Sequence, residues 1–160
     1  MGVNRHRPHL LVLPEDDATR QMANGFVQAA VSGQARVMPP VGGWRRVVEA
    51  FHQEYETALR GLPERFLVLL IDLDGQGGRI AEVLSEVPQE LRDRVFVIGP
   101  LREPEDLRRS MGQTLEKIGS LLAEDCRVGA RTHWSHEHLL HNAQELERLC
   151  PRLEFLFASR

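Results

Sequence analysis

Two aspartates separated by a single residue, Asp72 and Asp74, close the apolar run Leu67-Val68-Leu69-Leu70-Ile71-Asp72-Leu73-Asp74-Gly75. On an extended chain, residues two apart point the same way, so the two carboxylates are expected side by side. Like charges held together repel unless a cation or a proton intervenes, and a hard divalent ion such as Mg²⁺ prefers oxygen ligands. The structural alternative is that one aspartate caps the next helix and the other is solvated. A second acidic group, Glu15-Asp16-Asp17, follows the apolar segment His9 to Leu13. Together these acids would hold one or two Mg²⁺ or Mn²⁺ ions and steady the charge on a phosphoryl group in transfer. Glu15 is a candidate general base, because neighbouring carboxylates raise its pKa. Asp16 or Asp17 is equally suited to cap the helix that follows.

Weaker signals accompany the acids. Gly42 and Gly43 open a helix, where bare amides can bind phosphate, but the Lys-Ser/Thr ending of a P-loop and the dinucleotide fingerprint are both missing. Glu105 lies in Arg102-Glu103-Pro104-Glu105-Asp106, either approaching the same site or forming an acidic first helical turn. His133, His136, His138 and His141 crowd one segment, yet no cysteine pair completes a zinc site, and capping, packing or solvation accounts for them. Arg45, Arg46, Arg108 and Arg109 are the bases expected nearest the acids, suited to phosphates or to a solvated face. Trp44 and Trp134 read as packing residues.

To bring the acids together, the chain needs strands that end beside one another. Runs buried on both faces characterise parallel strands. Strands are expected at His9 to Leu13, Ala35 to Met38, Leu67 onward and Val95 to Ile98. Helices alternate with them, at Thr19 to Val31, Trp44 to Leu59 and Gly78 to Glu86, with a short helical turn after Pro88. This βαβαβαβ order predicts an α/β, Rossmann-like parallel sheet of about four strands with helices on both faces, and ligands in such folds lie at the carboxyl ends of the strands. Beyond Pro104 a helical C-terminal region is expected, with long helices at Glu105 to Leu122 and His136 to Leu149, a loop from Cys126 to Ser135, and Leu153 to Phe157 as a last strand or an apolar plug.

The 160 residues suit one domain, 1–160, with the helical extension over about 105–160. The net charge of −3 argues against a generic nucleic-acid coat but not against nucleic acid engaged through a metal site. With no bilayer-length apolar stretch and no apolar core in Met1 to Pro8, a cytoplasmic protein without a membrane partner is expected. Cys126 and Cys150 are therefore expected as free thiols.

The pattern resembles the Toprim domain shared by topoisomerases, primases, recombination proteins, small ribonucleases and the overcoming-lysogenization-defect nucleases. Leu10 to Asp17 looks like the family's strand followed by Glu-Gly-x-x-Asp. Val37 to Gly43 is similar to the strand and Gly-Gly turn of the nuclease branch, Ile71 to Asp74 is like its Asp-x-Asp, and Arg102 to Glu105 is like its Arg-Glu-x-Glu. These cover about the first two thirds of the chain. The resemblance implies a Mg²⁺- or Mn²⁺-dependent nuclease acting on DNA or RNA, with Asp72 and Asp74 as metal ligands, Glu15 as base or third ligand, Glu105 completing the site, and a separately encoded ATPase as partner. One departure stands out: Leu13 and Pro14 occupy the positions of the family's Glu and Gly, leaving Glu15 displaced by two. The alternative is therefore a non-catalytic Toprim-like binding or regulatory module. A receiver domain ranks below both, since Ile98-Gly99 replaces its hydroxyl residue and its Lys-Pro turn is missing. Tyr55, the sole tyrosine, falls inside an expected helix, which argues against a tyrosine nucleophile.

Overall fold

The structure, a computed structural model, describes residues 2–157. Four parallel strands form one sheet in the order β2-β1-β3-β4, from β1 (His9–Pro14), β2 (Ala35–Val37), β3 (Arg65–Leu70) and β4 (Val95–Ile98). Every residue of β1, β3 and β4 is buried, as uninterrupted apolar runs require. Their side chains alternate between two cores. Leu10, Val12, Phe66, Val68 and Phe96 pack on one face, and Leu11, Leu13, Leu67, Leu69, Val95 and Val97 on the other. Helices cover both, so the chain has the expected α/β, Rossmann-like architecture.

The first face is covered by α1 (Asp17–Val27) and α6 (Leu115–Val128). Their close packing depends on glycine: a Cβ on Gly25 would lie 1.8 Å from the Glu116 carbonyl oxygen, and one on Gly119 would lie 1.9 Å from that of Met22. The opposite face takes α2 (Trp44–Ala50), which runs through a π-helical stretch, Phe51–Tyr55, into α3 (Glu56–Gly61), and α4 (Arg79–Leu84). Tyr55 is buried there. A 3-10 turn at Gln89–Leu91 leads into β4.

Three expectations for the helical region need correction. The span Glu105 to Leu122 is two helices, α5 (Pro104–Met111) and α6, because Gly112 adopts a left-handed conformation (φ 65°) and Thr114 caps α6 by accepting from the Lys117 amide. The span His136 to Leu149 becomes helical only at the 3-10 turn Leu140–Asn142, followed by α7 (Ala143–Leu149). Cys126 and Cys150 are not free: α6 and the end of α7 bring their Cα atoms to 5.3 Å, and they form a disulfide. A final 3-10 helix, Cys150–Leu156, buries Leu153 and Leu156 completely, so the apolar tail is a plug and not a strand.

The outer edge of β4 is satisfied by side chains. Asn142 accepts from the Gly99 amide and donates to its carbonyl, Glu145 accepts from the Val97 amide, and Arg148 donates to the Val95 carbonyl. Buried strand edges need such partners.

Candidate functional site

The register aligns Pro14 with Leu70, and the Glu15 amide still donates to the Leu70 carbonyl at 2.9 Å, so the acids following β1 and β3 emerge beside each other. Glu15 Oε2 accepts from the Asp72 amide at 2.6 Å. Asp72 Oδ1 accepts from the Asp74 amide at 2.9 Å, and Asp74 Oδ2 accepts from Arg79 Nη1 at 2.9 Å. Among the described residues, each carboxylate thus keeps one oxygen free of protein hydrogen bonds: Glu15 Oε1, Asp72 Oδ2 and Asp74 Oδ1.

The two aspartates differ in environment. Asp72 is 8% exposed, whereas the Asp74 side chain is 56% exposed. β3 ends at Leu70 and Asp74 is left-handed (φ 52°), so the side-by-side expectation, which assumed continued extension, gives way to a turn. Asp is among the few residues that tolerate this conformation.

Burial raises the Glu15 pKa to about 7, reinforced by the charges of Asp16, Asp72 and Asp74 and opposed by the Asp72 amide. Burial also raises the Asp72 pKa, reinforced by Asp74, Asp16 and Glu103. Asp16 caps α1: its side chain accepts from the Thr19 amide at 2.9 Å, and Thr19 Oγ1 accepts from the Asp16 amide at 3.1 Å. Asp17 turns outward to Arg20 and Gln21.

The remaining sequence candidates are engaged elsewhere. Gly42 and Gly43 donate their amides to the Glu15 carbonyl at 2.8 and 3.3 Å, and so brace the acid's backbone. Glu105 lies on the exposed face of α5, where its ion pair with Arg108 holds its carboxyl below the usual range. Of the acids in this segment, Glu103, at the start of α5, is the one whose charge helps raise the Asp72 pKa. Arg109 pairs with Asp106, and Arg45 lies over the Trp44 ring.

Arg79 was not among the sequence candidates. Its signal was a basic residue opening a helix just beyond the Asp-x-Asp turn. Its side chain is 10% exposed, its guanidinium lies 4.5 Å from the Trp44 ring centroid, and Nη1 also donates to the Leu73 carbonyl at 3.3 Å.

The histidines are spread over several contacts: His133 on Asp125, His136 on Ser110, and His141 on the Gly99 carbonyl. The His138 carbonyl accepts from the Leu101 amide. Trp134 is buried and donates to the Leu122 carbonyl. Among the described residues, no group of three or more His, Cys, Asp or Glu side chains is assembled to hold a metal.

No family model, curated protein or solved structure matches the chain. Among the described residues no helix is long and apolar enough to cross a membrane.

Proposed function

We propose that the carboxyl edge of β1 and β3 is the active site of a divalent-metal-dependent phosphodiesterase acting on DNA or RNA. The observation that carries this reading is the chain Glu15, Asp72, Asp74, in which three carboxylates each retain an uncommitted oxygen. All-oxygen donors suit Mg²⁺ or Mn²⁺. Asp72 and Asp74 would hold the ion, with Glu15 as third ligand or base. When bound, the ion supplies electrostatic stabilisation of charge developing on a phosphoryl group.

The protein's own contribution is a base with a suitable proton affinity. In metal-free protein burial holds the Glu15 pKa at about 7; a divalent ion beside it would lower that value and keep the carboxylate ionised, the form that accepts a proton from water. In hydrolysis the water oxygen forms the new bond to phosphorus, its proton passes to Glu15 Oε1, and the bond to one sugar oxygen breaks. That oxygen then takes a proton from solvent. A separately encoded ATPase partner follows from the Toprim resemblance.

The deciding experiment follows cleavage of circular plasmid, single-stranded DNA and RNA with Mg²⁺ or Mn²⁺. Wild-type activity that is lost in Asp72→Asn and falls at least about a hundredfold in Glu15→Gln supports the reading. Wild-type protein that neither cleaves nor binds Mn²⁺ supports a non-catalytic binding module. That second reading is favoured by the missing ready-made coordination group among the described residues.

A further inference from the structure

We propose that Arg79 is the built-in counter-cation of the acidic crevice, and that divalent-ion binding at Asp72 and Asp74 releases its guanidinium to bind a phosphate oxygen of the ligand. The inference rests on the metal-site reading above and adds to it the group that recognises phosphate.

Among the described residues, no other Lys or Arg is paired with Glu15, Asp72 or Asp74. Arg79 gives Nη1 to Asp74 and to the Leu73 carbonyl, while Nε is sealed from solvent and has no acceptor among the described residues. A side chain nine-tenths buried normally spends its donors. Here one is unspent beside Glu15 and Asp72, which among the described residues have no Lys or Arg partner. The Trp44 ring supports the guanidinium by a cation–π contact that does not consume those donors. A divalent ion sharing Asp74 would repel the guanidinium and weaken the ion pair, and the planar fork of arginine matches a phosphate. The crevice thus exchanges one cation for another and gains an anion-binding group as it does so.

The test uses the full chain, stripped of metal. Mn²⁺ binding is measured by calorimetry on wild type, Arg79→Gln and Asp72→Asn. Binding of inorganic phosphate is measured with saturating Mg²⁺, and tryptophan fluorescence is followed during Mg²⁺ titration, with Trp44→Phe as control. The expected result is Mn²⁺ binding tighter by roughly fivefold or more in Arg79→Gln, together with loss of phosphate binding. A Mg²⁺-dependent fluorescence change is also expected in wild type and not in Trp44→Phe.

Equal Mn²⁺ affinities in wild type and Arg79→Gln, with Asp72→Asn failing to bind, would overturn the exchange while leaving the metal site standing. Unchanged Mn²⁺ binding in Asp72→Asn would reject the metal site itself. Should Arg79→Gln fail to fold, wild-type fluorescence that stays constant while calorimetry records Mg²⁺ binding overturns the exchange without that variant.

Discussion

Glu15 joins backbone geometry to chemistry: its amide extends the β1–β3 pairing, its carbonyl holds Gly42 and Gly43, and its carboxylate receives the Asp72 amide. Its raised pKa also bears on stability. The folded carboxyl binds a proton up to about pH 7 and the unfolded one only to about 4.5, so in metal-free protein its contribution to stability falls as pH rises between those values and is level above. Glu15→Gln, which keeps the acceptor for Asp72, should remove that slope and stabilise by about 1 kcal/mol at pH 8, the figure reduced because the group is only half-buried. Urea unfolding from pH 4.5 to 8 measures it. His9 gives the opposite slope. Burial lowers its pKa from 6.5, despite the Arg7 carbonyl, while Arg65 Nε donates to its Nε2. Its contribution is complete above pH 6.5 and is lost as pH falls below that value. His9→Gln should therefore flatten the acid limb of the same titration.

The acids meet because the elements carrying them are neighbours. β1 and β3 pair in register, and α1 begins immediately after Glu15 with Asp16 as its cap. The contact between α1 and α6 is backbone on backbone at Gly25 and Gly119, so Gly119→Ala should cost about 3 kcal/mol or more in thermal or denaturant unfolding. At the β4 edge of the sheet, Glu145→Ala would strand the Val97 amide and free Arg148, for a loss of about 2 kcal/mol. Glu145→Gln should recover much of it by retaining the acceptor. A cap at Asp16 or Asp17 and the strand at Val95–Ile98 were both legible from residue type and spacing, and the folded chain gives the cap to Asp16. The edge clamp of Asn142, Glu145 and Arg148 was not: the i, i+3, i+6 pattern of polar residues reads as a solvated helix face until β4 lies against it.

The C-terminal helices are tied to the sheet by this clamp and to one another by the Cys126–Cys150 bridge, which closes a loop with a sequence separation of 24. Reduction should lower stability by about 3 kcal/mol on loop entropy, measured by denaturant unfolding with and without dithiothreitol, and α/β circular dichroism should persist at low denaturant. The alternation of buried strands with amphipathic helices was enough to predict a parallel α/β sheet, because burial on both faces leaves an uninterrupted apolar run in one dimension. It was also enough to predict Asp72 beyond β3 and Glu15 beyond β1. Contacts between distant positions required the folded chain. The cysteine pairing depends on how the C-terminal helices pack, whereas the charge of Glu103 acting on Asp72 and the insertion of Arg79 between Trp44 and Asp74 depend on how turns aim side chains after a strand ends. A left-handed residue at Asp74 redirects a carboxylate that simple alternation would have pointed elsewhere.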